Sequence, residues 1–127
     1  MQEKFLFEYA VIRVMPRVER EEFLNVGVIL YCAKQKFLKS IFTIDQEKLK
    51  IFSPETDIID IKENLLALQK ISLGGEGSGT IGCYDIASRF RWLTATRSTV
   101  VQCSKVHPGF CSDAQETLIK LHQQLVL

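Results

Sequence analysis

The sequence predicts an α+β domain, a mainly antiparallel sheet of about four strands with helices packed on one face. Three runs with strand periodicity, at residues 5–14, 23–33 and 37–44, occupy the first third of the chain. Two helical apolar stripes follow, one over residues 54–73 and one over residues 113–125. Strands followed by helices are typical of a sheet covered by separate helices, and the predicted order here is βββ-α-α-β-α.

The first two runs form the centre of the predicted sheet. In the second run the even positions from 24 to 32 are all apolar, which predicts a strand with one face on the core. Gly27 inside this run indicates a bulge or the close approach of another backbone. The first run is apolar on both faces, which is typical of a central strand, although Glu8 and Arg13 interrupt it.

The third run follows a short polar break at residues 34–36, and this spacing predicts an antiparallel meander. Ser53 and Pro54 have the character of an N-cap and a first helical residue, so they predict the start of a helix. The glycines at 74 and 75 end it near residue 73. Its apolar stripe consists of Ile58, Ile61, Leu65 and Leu68.

The remaining elements are shorter. Residues 84–93 predict a helix, and residues 98–103, which are rich in β-branched side chains, predict a strand. Asp113 and Glu116 have the spacing of a capping box, which predicts the start of the closing helix. An open edge of the meander can pair with a second copy of the chain, so a homodimer is an expected assembly.

The composition restricts the class of protein. The 127 residues predict one domain over residues 1–127, long enough to form a core without disulfides. A net charge of +1 offers no field of one sign to attract a polyanion, which argues against a nucleic-acid partner. No apolar run has the length of a membrane span, and the first residues do not have the pattern of a signal peptide. We therefore expect a cytoplasmic protein whose four cysteines are reduced.

The connector between the first two strands, RVMPRVEREEF, is dense in charge. Arginine recognises phosphate and carboxylate groups through paired N–H donors. The interleaved glutamates favour mutual salt bridges for Arg17 and Arg20 instead. Arg13 differs because it lies inside a strand, where a charged side chain needs a partner or a groove. Arg13 is therefore the better candidate for a binding residue.

The glycine-rich loop at residues 74–82 precedes three arginines, Arg89, Arg91 and Arg97. Backbone N–H groups of such a loop can bind a phosphate. No Lys-Ser/Thr pair follows this loop, and it comes after a helix rather than after a strand. A tolerant linker is therefore favoured over a phosphate loop.

Cys103, His107 and Cys111 have the spacing C-x3-H-x3-C, which Cys83 could complete as a zinc site. Structural zinc sites usually pair their ligands as C-x2-C, so free cysteines are favoured and neither a metal nor a cofactor is predicted. The chain lacks the common hydrolase, metalloprotease and kinase motifs, so whether it is an enzyme stays open. His122 lies beside the apolar stripe of the last helix and is predicted to be a packing residue.

Three segments together resemble a bacterial domain-of-unknown-function family, numbered 3037. They are YAVIRVMPRVEREEFLNVGVILYC at 9–32, RFRWLTATRSTVVQ at 89–102 and HPGFCSD at 107–113. The resemblance implies that the family's motif positions fall on Arg13, Pro16, Glu22, Asn25, Gly27, Arg89, Phe90, Arg97, Ser98, Thr99, Gln102, His107 and Asp113. Its members are similar in genomic setting to proteins encoded beside a kinase of the HipA type, which implies a kinase-like partner protein.

Two functions stay open. The first, favoured by near-neutral charge and small size, is a cytoplasmic interaction or regulatory domain that acts with a kinase-like partner. The alternative is a small enzyme or ligand-binding domain that recognises a phosphorylated or nucleotide-like group through an arginine patch. The predicted ligand or partner patch consists of Arg13, Glu22, Asn25, Arg89, Arg97, Gln102, His107 and Asp113. A deep pocket lined by arginines would favour the ligand, and a flat apolar patch rimmed by them would favour the partner.

Overall fold

A computed structural model describes residues 3–95, 97 and 99–127 and confirms the α+β class. These residues form five strands, β1 Phe5–Val14, β2 Leu24–Cys32, β3 Phe37–Phe42, β4 Val101–Cys103 and β5 His107–Cys111. They also form four α-helices, α1 Gln46–Phe52, α2 Ile58–Leu73, α3 Ile86–Leu93 and α4 Ala114–Leu125, with 3₁₀ turns at Val18–Arg20 and Ile81–Cys83. The observed order has one strand and one helix more than the predicted order.

All pairs of neighbouring strands are antiparallel, in the order β3-β2-β1-β4, and β5 also pairs with β1. β4 and β5 therefore lie end to end along the same edge of the central strand β1. Ser104 joins them: its Oγ accepts a hydrogen bond from Val11 N at 2.8 Å, and its N donates to Val11 O at 2.8 Å. The strand predicted at residues 98–103 corresponds to β4, which begins only at Val101, and residue 98 lies outside the described residues.

The sheet is covered on both faces, whereas the sequence predicted helices on one face. One core cluster contains Ile61 and Leu65 of α2 with Phe90 of α3. A second cluster, on the opposite face, contains Ala114 and Leu118 of α4. The one-face arrangement is corrected for α4, because a central strand that is apolar on both faces needs a cover on each.

Gly27 lies at a bulge in β2. Ile12 of β1 pairs with Gly27, but the next residue, Arg13, pairs with Asn25, so Val26 is skipped. A Cβ at position 27 would also lie 2.5 Å from a carbonyl oxygen of β3, so the predicted bulge and close backbone approach are both present. The bulge reverses the alternation, and the even positions of β2 do not share one face as predicted.

The helix predicted from Ser53 begins later. Ser53 is the C-cap of α1, and α2 begins at Ile58 after the N-cap Asp57. Its end at Leu73 agrees with the prediction, and Gly74 at the C-cap has a φ of 73°. Among the described helices, none is both long and apolar enough to cross a membrane.

The first turn of α4 is capped by another part of the chain. Asp113 is the N-cap residue, but its side chain makes no capping hydrogen bond, so the predicted capping box is wrong. Ala114 N instead donates to Oε1 of Gln35 at 2.8 Å. Gln35 lies in the β2–β3 turn, and its side chain therefore connects this turn to the start of α4.

Candidate functional site

Three polar side chains form a row across the sheet near the end of β1. Arg13 pairs with Asn25 of β2 on one side and with Gln102 of β4 on the other. Its neighbours Ile12 and Val14 pack in the cluster under α2, so Arg13 points to the opposite face, which α4 partly covers. The structure therefore brings three of the predicted patch residues together, and we call them the polar row.

Arg13 is half-buried and has no acidic partner among the residues that the structure describes. Its guanidinium carbon lies 4.2 Å from the centroid of the Phe23 ring. Its Nε is buried, and no described atom accepts a hydrogen bond from it. The flanking carboxamides donate to main-chain carbonyls, Asn25 at 3.2 Å and Gln102 at 2.6 Å. Cation–π stacking leaves the guanidinium edge free to meet an anionic group.

Glu8, the other charged residue that interrupts β1, is paired. Its two carboxylate oxygens accept hydrogen bonds from the two terminal nitrogens of Arg91 in α3, at 3.1 and 2.8 Å. The hydrogen bond to Glu8 raises the pKa of Arg91 above its usual value. This bidentate pair connects α3 to the central strand.

Arg89 is buried, and its contacts are structural. Its Nη1 donates to the carbonyl oxygens of Ile71 and Ser72, both at 3.1 Å, in the last turn of α2. The last carbonyls of a helix lack helical donors and carry partial negative charge, so a cation there is favourable. Arg89 of the predicted patch therefore directs Nη1 at the helix end, while its buried Nε has no described hydrogen-bond acceptor.

Arg97 lies on the side of the sheet that α2 and α3 cover. Its guanidinium carbon is 4.1 Å from the centroid of the Trp92 ring, and it also donates to the Trp92 carbonyl oxygen. Since Arg13 points to the opposite face, the predicted arginine patch is divided between two sides of the molecule. Ser98, a motif position implied by the resemblance, lies outside the described residues.

An apolar groove lies beside Arg97, between α2, α3 and the segment that leads into β4. Its volume is about 570 Å³. Trp92 and Val100 in its wall are 40% and 39% exposed. The apolar residues of the wall are Ala67, Leu68, Ile71, Trp92, Leu93, Val100 and Val101. Sequence reasoning missed this groove, although the single tryptophan next to an arginine-rich segment was a signal that could have found it.

The connector carries exposed ion pairs. Arg20 lies 2.7 Å from Glu22, and Arg17 lies 3.7 Å from Glu55. All four side chains are more than half exposed, so water and salt weaken both pairs. Glu22 of the predicted patch is therefore engaged by Arg20 rather than by Arg13.

His107 and Asp113 do not join the polar row. His107 is exposed in β5 opposite Tyr9, with ring centroids 5.4 Å apart. Asp113 lies at the start of α4, whereas Asn25 contacts a carbonyl at the other end of that helix. The length of α4, about 18 Å for its 12 residues, separates Asp113 from the row.

The spacing C-x3-H-x3-C does not produce a metal site. Cys103 lies opposite Ile12 and packs against the cluster under α2. Cys111 lies opposite Phe5 and packs in the cluster under α4. The two thiols are therefore at different ends and on different faces of the sheet. In the described part of the chain, no group of three His, Cys, Asp or Glu side chains could hold a metal ion.

The partly buried Cys103 and the buried His122 have shifted pKa values. Burial raises the pKa of the Cys103 thiol to about 11, and the nearby Arg97 and Arg13 oppose this effect only in part. The thiol is therefore protonated at neutral pH and is a weak nucleophile. His122 packs under the sheet, with its Nε2 2.9 Å from Oγ1 of Thr43, and burial lowers its pKa.

Comparison with known proteins gives one match. A family model described as "Protein of unknown function (DUF3037)" matches residues 9–126. No curated protein and no solved structure gives a significant match. The matched region includes the polar row and the apolar groove.

Proposed function

The chain belongs to this family of unknown function, and on that premise we propose that it is an interaction domain that binds a partner protein through the groove between α2 and β4. The observation that supports this proposal is the exposure of Trp92 and Val100 in an apolar wall. Exposed apolar patches on soluble domains usually mark interaction sites. Tryptophan and arginine are also enriched among the residues that dominate binding between proteins, and here Arg97 stacks on Trp92.

The lining of the groove suits apolar side chains of a partner segment. Among the described residues, the polar side chains in its wall are those of Asn64, Arg97 and Thr99. The Arg97 guanidinium is already stacked and hydrogen-bonded, so it presents a fixed cationic rim rather than a mobile anion clamp. The family's genomic setting supports a kinase-like protein as this partner, and we place the interaction in the cytoplasm, where the cysteines stay reduced.

The experiment compares two matched surface variants. The tagged chain is co-expressed with a kinase of the HipA type, the class of partner that the family resemblance implies, and the purified material is weighed by native mass spectrometry. Val100→Lys introduces a charge into the groove, and Ile119→Lys introduces the same charge on α4, on the other face of the sheet. The two native side chains have similar exposure, 39% and 44%.

We expect the wild-type chain and Ile119→Lys to recover the partner in stoichiometric amount. We expect Val100→Lys to recover at least tenfold less, because a lysine in the groove has to be desolvated or excludes the partner side chain. Equal recovery by both variants would remove the groove from the interface. No recovery by the wild-type chain would contradict a kinase-like partner.

A second function is favoured by Arg13 alone. A half-buried guanidinium with carboxamides on both sides and no described carboxylate nearby is arranged to meet an anionic group. The test is an NMR titration of wild type and Arg13→Lys with AMP and with inorganic phosphate. Binding that shifts the Asn25 and Gln102 side-chain amides and weakens in Arg13→Lys would support this function. Absence of any shift at the row would leave Arg13 a structural residue.

A further inference from the structure

We propose that two copies of the chain associate through the outer face of α2, packed antiparallel about Leu66. Three large apolar side chains on this face point to solvent: Ile59, Leu66 and Leu73 are 70%, 47% and 64% exposed. They are seven residues apart, which is almost two full helical turns, so they form one line along the helix. This line, which we call the outer stripe, is separate from the inner stripe that contains Ile61 and Leu65.

The outer stripe is symmetric about its middle residue. Ile59 lies seven residues before Leu66, and Leu73 lies seven residues after it. In an antiparallel pair, Leu66 therefore meets Leu66 of the second copy, and Ile59 meets Leu73 of the second copy at each end. The stripe spans about 21 Å, from 14 residues at about 1.5 Å each, which is nearly the whole of α2.

The charges beside the outer stripe match this arrangement. Glu63 and Lys70 are exposed and are also seven residues apart, so they lie in one line on the same side of Leu66. Glu63 precedes Leu66 by about 4.5 Å along the axis, and Lys70 follows it by about 6 Å. Reversal of the second helix brings Glu63 of each copy beside Lys70 of the other.

These features favour a second copy of the chain over an unrelated occupant. When the second helix runs in the opposite direction, the apolar side chains of the two outer stripes meet and the opposite charges beside them meet as well. An antiparallel pair also places each helix N-terminus near the C-terminus of its neighbour, which is the favourable orientation of the helix dipoles. A single pair of 16-residue helices is small for an interface, so the association is weak and depends on concentration.

The experiment uses sedimentation velocity of the full chain over a range of concentrations. We expect the wild type to shift from monomer to dimer as concentration rises. Glu63→Lys places two lysines side by side at each end of the pair, and Lys70→Glu places two glutamates there. Each variant alone should associate about tenfold more weakly, because two opposite-charge contacts become two like-charge contacts.

The mixture of the two variants gives the decisive result. When Glu63→Lys is mixed with Lys70→Glu, each lysine meets a glutamate again, and a dimer of wild-type strength should return. A matched control is the mixture of Glu47→Lys and Lys50→Glu, which reverse exposed charges on α1 and should leave association unchanged. Val100→Lys should also leave the association of the two copies unchanged, so the test of the dimer is independent of partner binding at the groove.

Three results would overturn the proposal. A wild type that stays monomeric at the highest concentration would exclude the α2 pair. If the charge reversals at positions 63 and 70 leave the strength of dimerisation unchanged, the dimer is held by another surface, such as the open edge of β3. A mixture that does not recover dimerisation would exclude the antiparallel register about Leu66.

Discussion

Replacement of Gly74 by alanine tests how Arg89 is held. Gly74 ends α2 with φ 73° and ψ −171°, a backbone region that is populated almost only by glycine. A Cβ at this position would overlap Nη1 of Arg89 and lie 2.9 Å from its Cζ. The guanidinium cannot simply move aside, because Arg89 is only 8% exposed and Nη1 donates to two carbonyls of α2.

Two costs add in Gly74→Ala. The backbone conformation costs alanine about 1–3 kcal/mol. Displacement of the guanidinium costs a further amount of about 1.5–3 kcal/mol, the usual value for hydrogen bonds to a charged group. We therefore expect Gly74→Ala to lower the free energy of unfolding by about 2.5–6 kcal/mol. In an Arg89→Met background only the backbone part of this cost, about 1–3 kcal/mol, should remain.

The assay is urea unfolding of wild type, both single variants and the double variant, followed by the fluorescence of Trp92, the single tryptophan. Gly75→Ala is the control, because its φ is also positive, at 83°, but a Cβ there would meet no atom within 4 Å. Its cost should be the same with and without Arg89. If Gly74→Ala costs the same in the wild-type and Arg89→Met backgrounds, Arg89 is not held at the end of α2, and its assignment as a structural residue is wrong.

The remaining predictions concern pH, thiol chemistry and the sheet. Burial lowers the pKa of His122 below 6.5, so the unfolded chain binds a proton first and stability falls as pH decreases below 6.5. His122→Gln should remove this part of the pH dependence in urea unfolding at pH 7.5 and 5.5, and an identical slope in both proteins would contradict it. Iodoacetamide at pH 8 should alkylate the exposed Cys83 at least tenfold faster than Cys103, because the pKa of the Cys103 thiol is about 11. Mass spectrometry after digestion measures the two alkylation rates, and equal rates would refute the burial of Cys103. Gly27→Ala should lower stability by about 3 kcal/mol or more, because its Cβ would meet β3 backbone that has no room to move, and an unfolding curve equal to that of the wild type would exclude this contact.

Much of the fold could be predicted from the sequence because local periodicity carries it. Residues 5–14 and 37–44 alternate as strands do, and the glycine at 74 marks the end of α2 where the structure has it. The match of Arg13 with Asn25 follows from strand parity once the consecutive strands β1 and β2 pair. Such features depend on neighbours within a few residues, so one sequence contains them.

The candidate site depended on contacts that are distant in sequence. Residue type and the family resemblance together group Arg89 and Arg97 with Arg13, but neither indicates which face of the sheet or which helix end a guanidinium contacts. Arg89 is 17 and 18 residues from the carbonyls to which it donates. The Trp92–Val100 groove exists only because α2 packs beside the segment that leads into β4.

The sequence by itself determined the α+β class, the central position of β1 and the presence of a special glycine at position 27. The tertiary structure alone decided that α4 covers the second face, that the arginines are divided between the two sides, and that α2 exposes a second apolar stripe. The physical reason is that the period of a strand or helix is a local backbone property. Which of two apolar faces becomes core depends on where the other elements pack, and a bulge of one residue in β2 is enough to exchange them.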